Sequence, residues 1–526
     1  MKEPTLSQVD VAIIGGGING SGLAALAAHS GLSVILFEKG DFASGTSSKS
    51  TKLIHGGIRY LEQARFSLVF ESLHERSHLL KLAPHLVHPL SFLLPVYQGD
   101  KRPAWMLKIG LYLYDFLAGL QNISRHQWFS AEGALRKAPP LKAEGLKGCG
   151  LYYDAQVNDA RLVLENILAA EEAGARCLND HQVLAVKNTG PSEIQVYFQN
   201  NQTGEKNLVT ARSLVNASGP WANQTSKMIS SQSKPLVRPT RGTHLVVPQV
   251  LSEDAVLITT RQDNRVIFVI PWRGFSLVGT TDLDDSEDPD KTKPTEAEID
   301  YLLQEASRLF PGRLWDRSQV LASFSGLRPL AWADEDHASS VSREDRIQRD
   351  GPVVSIVGGK LTTYRSMALK ALKSIGLILN RSLSIKDEFL LPGTPQTPWN
   401  EFLKTNVPSW MKTFGITESQ ADHLAKLYGQ KAEAVLSVIS QNPAMSERLH
   451  PARPEILAQV AYAVQREKAL HLSDVLLRRL EIGYTPYRWG ESSEKASQLM
   501  GQLLGWSEAA RQIELSFYKK LLFPPV

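Results

Sequence analysis

An apolar run, Val9-Asp10-Val11-Ala12-Ile13-Ile14, enters a glycine-rich turn, Gly15-Gly16-Gly17-Ile18-Asn19-Gly20, and then an alanine-rich stretch. Residues of these types at this spacing can hold a dinucleotide's pyrophosphate. Gly15 permits the tight turn, Gly17 lets backbone approach the phosphates, and Gly20 lets a helix pack close on the strand. The first helical N–H groups, at Ile18 and Asn19, carry the positive end of the helix dipole. Leu32–Phe37 reads as the next strand, and Glu38 ends it, placed to accept hydrogen bonds from ribose hydroxyls. The competing reading is an ordinary βαβ unit with a glycine turn.

Further polar groups follow. The loop Ser44–Lys52 offers the hydroxyls of Thr46, Ser47 and Ser48, which suit phosphates, although such loops are commonly solvated turns. It runs into His55-Gly56-Gly57-Ile58-Arg59-Tyr60-Leu61. Later, Ser213–Ala217 is an apolar strand ending in Ser218-Gly219-Pro220-Trp221. Val353–Val357 leads through Gly358-Gly359-Lys360-Leu361-Thr362 into a helix start, again strand, glycine turn, helix. A cation at a helix N-terminus opposes the dipole, so Lys360 reads as a functional residue rather than a surface lysine.

The elements that must position these groups need several cores. The chain has 526 residues, 43% hydrophobic and 21% charged, with a formal charge of +4, as expected of a folded protein of two or three domains. The mild basic excess suits anionic substrates or a lipid surface, and no dense Lys/Arg block indicates nucleic acid. Two cysteines, Cys149 and Cys177, provide neither a disulfide framework nor a cluster, and no His/Cys/carboxylate spacing argues for a metal. Met1–Gln8 lack a signal-peptide core, no run reaches spanning length, and the expected location is the cytoplasm. Trp105–Leu117, preceded by Lys101 and Arg102, is dense in aromatic and aliphatic residues. It reads either as a buried core helix or as a helix lying in a lipid interface.

Ser67–Leu82 has helical spacing, Gln182–Val186 and Ile194–Phe198 a hairpin pattern, and Pro235–Asp282 the alternation of an antiparallel sheet. Helical patterns dominate beyond Pro392-Gly393-Thr394-Pro395. The expected architecture is α/β, with a Rossmann-like nucleotide domain, an antiparallel β-sheet substrate domain and a C-terminal helical domain. Residues 1–85, 150–235 and 320–385 are assigned to the nucleotide domain, 86–149 and 236–319 to the substrate or cap domain, and 386–526 to the helical domain.

Taken together, the chain resembles the FAD-dependent glycerol-3-phosphate dehydrogenases over almost its whole length. The likeness rests on Gly15–Gly22, Thr46-Ser47-Ser48, Lys52–Glu62, Asp154, Asp159–Leu162, Asn216–Trp221, Gly279–Asp282, Ser325–Leu330, Gly358–Arg365 and Arg466–Arg479. Leu480 stands where the family usually has threonine. The resemblance implies noncovalent FAD and oxidation of sn-glycerol 3-phosphate at C2 to dihydroxyacetone phosphate, hydride passing to the flavin. It also implies electrons passing on to a membrane quinone, and peripheral attachment to the inner face of the cytoplasmic membrane. A homodimer is compatible with it.

A dianionic substrate needs fixed cations, and its C2 hydroxyl must lose a proton as hydride leaves. Arg59, Arg328, Lys360 and Arg365 supply candidate charge, with Tyr60 as a further phosphate donor. His244 is the favoured base, ahead of His55, with Arg328 polarising the C2 oxygen and water as acceptor as another arrangement. FAD contacts are expected at Gly15, Gly17, Ile18, Asn19, Gly20, Glu38, Thr46, Ser47, Ser48, His55, Gly56, Gly57, Gly219, Lys360, Leu361 and Thr362. In similar flavoproteins the strand corresponding to Val183 meets adenine. Competing readings are a glycerophosphate oxidase using oxygen, an amine or 2-hydroxyacid oxidase, and a noncatalytic flavin-binding subunit.

Overall fold

A computed structural model of the chain describes residues 8–190, 193–261, 263–332 and 345–523. Most of the opening segment read for a targeting signal, residues 1–7, lies outside them. Two sheets and a helical block organise the rest.

The first sheet runs in the order Arg346–Asp350, Val353–Val357, Lys206–Asn216, Gln8–Ile14, Val34–Phe37, Arg176–Leu178. Its central pairings are parallel, with Val11 beside Val34 and Ile13 beside Val215. All four residues of Val34–Phe37 are buried, as a parallel strand covered on both faces requires. The helix Ile18–His29 follows the first strand and packs against the helices Asp159–Glu172 and Tyr364–Ile378. The expected hairpin forms as His181–Gly190 and Glu193–Asn200, and it extends this sheet through the first half of Lys206–Asn216.

The second sheet is built on Val237–Pro248, Phe275–Gly279, Val266–Trp272, Ala255–Thr259, Val87–Tyr97 and Leu146–Val157. Its membership differs from the expected division of the chain at three strands. Leu53–Ile54 pairs with Leu146–Val157, although it lies inside the first nucleotide-domain block. The division at 149/150 cuts through that same strand. Ala322–Ala331 pairs along its whole length with Val237–Pro248, so it belongs to the second sheet and not to the block 320–385. Each of these strands pairs with a strand distant in sequence, and local alternation carries no information about which sheet supplies that partner.

The helix expected around Trp105–Leu117 spans Ala104–Ala118 and is buried on one side only. Leu111, Tyr114 and Ala118 are buried, while Trp105, Ile109, Tyr112 and Phe116 are 65%, 60%, 68% and 79% exposed along one stripe. None of the described helices is long and apolar enough to cross a membrane.

Helices from Trp399 to Leu521 form the C-terminal block, with Leu480 fully buried in its core. Buried charge joins this block to the rest of the molecule. Lys52 Nζ lies 2.6 Å from Asp159 and 2.9 Å from Glu481, all three side chains being essentially inaccessible. Arg478 and Arg479, on one π-helical turn, both bind Asp41, and Arg161 binds Glu467 at 2.5 Å. A lysine flanked by two buried carboxylates is held protonated, and removing it leaves two anions facing each other without water. Lys52→Met is therefore expected to cost about 3–5 kcal/mol of stability, read as a lower urea midpoint. An unchanged midpoint would contradict this account of the seam.

Candidate active site

A cavity of about 1430 Å³ lies where the two sheets and the helical block meet. It exceeds the roughly 300–1,000 Å³ of a site for one small ligand, leaving room for a dinucleotide together with a small substrate. Its lining includes Gly15, Gly17, Ile18, Asn19, Glu38, Thr46, Ser47, Ser48, His55, Gly57, Val183, Gly219, Leu361 and Thr362, the groups expected to meet a cofactor. Arg59, Tyr60, His244, Arg328 and Lys360, expected to meet substrate, also line it.

The nucleotide end follows from the first turn. Gly15 has φ +114°, and a Cβ there would fall 2.6 Å from the Ala217 carbonyl oxygen, so only glycine lets the strand end pass this close. Gly20 lies outside the lining and packs directly under Gly15, the close helix-on-strand approach expected of it. Ile18 N–H donates to Ser47 Oγ at 2.9 Å, which ties the hydroxyl loop to the helix N-terminus. The Glu38 carboxylate accepts from Gly16 N–H at 2.8 Å and Gly40 N–H at 3.0 Å. Burial pushes its pKa up, and these two donors oppose the shift. Asn19 Oδ1 and Trp221 Nε1 are buried at the cavity wall without a hydrogen-bond partner among the described residues, as polar groups reserved for a ligand would be.

The other end takes its side chains from the second sheet and from two glycine loops. Arg328 reaches across Val237–Pro248 at Gly242, where a Cβ would lie 2.4 Å from its guanidinium. It is held by the Asp282 carboxylate at 3.1 Å and donates to Thr280 Oγ1 at 2.9 Å. His244 is 2% exposed, stacked on Phe324, and its Nε2 lies 3.0 Å from Thr51 Oγ1. Burial, with Arg328 and Lys52 nearby, holds its pKa well below the usual histidine value, so the ring is neutral. Its Nδ1 is buried and finds no partner among the described residues. Across the cavity, Lys360 Nζ sits 4.1 Å from the centre of the Tyr60 ring, and the Arg59 guanidinium carbon 5.1 Å from it. His55 N–H donates to Thr362 Oγ1 at 3.2 Å, joining the two loops that carry these cations.

Two expected contacts fall elsewhere. Arg365 does not line the cavity: its guanidinium donates to the Asp387 carbonyl at 2.9 Å and lies 3.7 Å from Glu75. It follows Lys360 by more than one helical turn, and helix geometry turns it toward the helix Phe66–Leu82. Gly56 is also absent from the lining, its N–H being taken by Asp154.

Other lining groups escaped the sequence reading. Lys49 stands among the hydroxyls, its pKa lowered to about 8 by enclosure and by Arg478. Arg478 and the helix residues Ile513, Phe517 and Leu521 come from the C-terminal block. In the sequence this region shows only helical patterns, and nothing local points these side chains at a cavity.

Comparison with known proteins agrees with this geometry. Residues 10–358 match the family described as FAD dependent oxidoreductase, and residues 385–511 match the C-terminal domain of alpha-glycerophosphate oxidase. The fold and site thus define a FAD-dependent oxidoreductase. A glycerol-3-phosphate dehydrogenase from Synechocystis is 35% identical, over 98% of this chain and 96% of its own. The mitochondrial glycerol-3-phosphate dehydrogenase of Rattus norvegicus is 35% identical over 98% of this chain and 73% of its own. The structure of the glycerol-3-phosphate dehydrogenase from Bacillus halodurans complexed with FAD superposes with a TM-score of 0.81 at 29% identity, covering 98% and 94% of the two chains. The chain belongs to the FAD-dependent glycerol-3-phosphate dehydrogenase family.

Its glycine cradle, helix N-terminus, Glu38 and unpartnered Asn19 Oδ1 suit FAD. Ser47→Ala removes the acceptor for Ile18 N–H. It is expected to weaken FAD retention by roughly fivefold, about 1 kcal/mol, measured as flavin absorbance remaining after dialysis.

Proposed function

We propose that this protein oxidises sn-glycerol 3-phosphate to dihydroxyacetone phosphate. The observation that carries the reading is the convergence of Arg59, Lys360 and Arg328 with a buried neutral histidine on one cavity wall system. Bound FAD supplies the two-electron acceptor for the hydrogen leaving C2. Arg59 and Lys360, braced on Tyr60, hold the phosphate dianion, while Arg328 steadies the oxygen at C2. His244, kept neutral by burial, takes the C2 hydroxyl proton, and Phe324 fixes its ring plane. His55 is tied through its backbone to Thr362, and the role that fits it is holding the loop against the cofactor.

The exposed stripe Trp105, Ile109, Tyr112 and Phe116 favours a membrane quinone over oxygen as the next acceptor. Lys101 precedes it, and Arg102 is ion-paired to Glu62. An apolar face of this length beside basic residues fits the surface of a bilayer, so the enzyme attaches peripherally to the inner face of the cytoplasmic membrane.

The direct test is an anaerobic visible spectrum before and after adding sn-glycerol 3-phosphate. Bleaching of the oxidised flavin band is expected, and an unchanged spectrum would refute the substrate. Arg328→Ala should lower kcat/KM by the equivalent of about 2–5 kcal/mol, with near wild-type values counting against its role.

A histidine with a depressed pKa stays in its basic form as pH falls through the ordinary histidine range. The rate of flavin reduction at saturating substrate should therefore hold from about pH 8 to below 6.5 and drop only at more acid pH. A break at the ordinary histidine value would remove His244 from the role of base.

A further inference from the structure

Asp154 does not line the cavity, yet it is the point at which three elements around the cavity meet. It stands on Leu146–Val157 and is 1% exposed. Its carboxylate accepts from Gly56 N–H at 3.1 Å, from the Arg76 guanidinium at 2.7 Å, and from the Tyr114 hydroxyl, which lies 2.8 and 2.9 Å from its two oxygens. Gly56 belongs to the loop that presents His55 and Arg59. Arg76 belongs to the helix Phe66–Leu82, and one turn earlier on that helix Ser72 Oγ accepts from Lys360 Nζ at 3.3 Å. Tyr114 is on the inner face of Ala104–Ala118, the helix whose outer face is the apolar stripe.

These contacts leave no slack. A Cβ on Gly56 would lie 2.4 Å from the Tyr114 oxygen and 2.5 Å from Leu73, so loop backbone, helix hydroxyl and second helix touch directly. Charge-assisted hydrogen bonds in a dry site are stronger than neutral ones and hold their geometry more tightly. A shift of the helix Ala104–Ala118 must therefore carry the carboxylate's partners with it, or break a buried hydrogen bond.

We infer that Asp154 is a positioning residue that couples the lipid-facing helix to the substrate loop, so that seating the helix on a bilayer sets the placement of Arg59 and Tyr60. The inference rests on the peripheral membrane reading and adds to it a route: Tyr114 hydroxyl, Asp154 carboxylate, Gly56 N–H, Arg59. Tyr114→Phe cuts this route at one oxygen atom while keeping the ring in the core and leaving the outer stripe untouched.

The experiment uses the FAD-loaded enzyme and a soluble dye acceptor, with and without vesicles of mixed zwitterionic and anionic phospholipid, and measures vesicle sedimentation separately. The wild type is expected to sediment and to lower its KM for sn-glycerol 3-phosphate by about fivefold on vesicles, an ordinary coupling. Tyr114→Phe should sediment equally and keep its flavin, but show the same KM in both conditions. Asp154→Asn, which keeps an acceptor for Gly56 but loses the charge facing Arg76, should also lose the vesicle response. It provides the readout if the phenylalanine variant does not fold.

Vesicle responses like the wild type's in these variants would overturn the coupling and leave membrane attachment standing. A lowered Tm with an unchanged vesicle response would reduce Asp154 to a structural tie and overturn it too. A wild type that stays in the supernatant would overturn the attachment and the coupling together.

Discussion

Charge buried at the seam between the sheets and the C-terminal helices is the constraint on which the remaining structure depends. Lys52 between Asp159 and Glu481, Asp41 between Arg478 and Arg479, and Arg161 against Glu467 each draw one partner from the nucleotide half and another from the helical block. Ions taken out of water are tolerated only when their partners are in place. The helical block therefore has essentially one way to dock. That docking brings Arg478 and the C-terminal helix to the cavity wall, and it fixes the loop Ser44–Lys52, whose last residue is the buried lysine itself.

The site is consequently a composite. The first sheet supplies the strand ends and the helix N-terminus for the nucleotide, and the second supplies Arg328 and His244. The loops 44–61 and 358–363 pass between them. Thr46 Oγ1 donates to the Leu327 carbonyl, one residue before Arg328, so the hydroxyl loop and the cationic strand are joined directly.

What could be read in the sequence followed the range of the forces involved. The turn at Gly15–Gly20, the strand ending at Glu38 and the helix after Thr362 depend on neighbours in the chain, and they stand where the residues put them. The aromatic segment was legible as a helix, but whether its apolar residues face protein or solvent is decided by Leu111 and Tyr114 packing on distant strands. The direction of Arg365 depends on Glu75 and Asp387, and the sheet joined by Ala322–Ala331 depends on Val237–Pro248, in each case across a long stretch of intervening chain. Lys49, Arg478 and Asp154 were quoted in motifs or loops, yet their surroundings come from elements far away in sequence.

The strand order of the first sheet has a consequence for how the protein is made. Gln8–Ile14 lies beside Lys206–Asn216, which lies beside Val353–Val357. At the usual ribosomal pace of about 5–20 residues per second, the opening strand waits on the order of 10–40 s for Lys206–Asn216, and its alanine-rich helix on the order of 20–70 s for the helix Tyr364–Ile378 that covers it. Throughout those intervals an apolar strand edge and an apolar helix are left without their native cover. The nascent chain is therefore a natural client for chaperones, and its cofactor cradle closes late in synthesis.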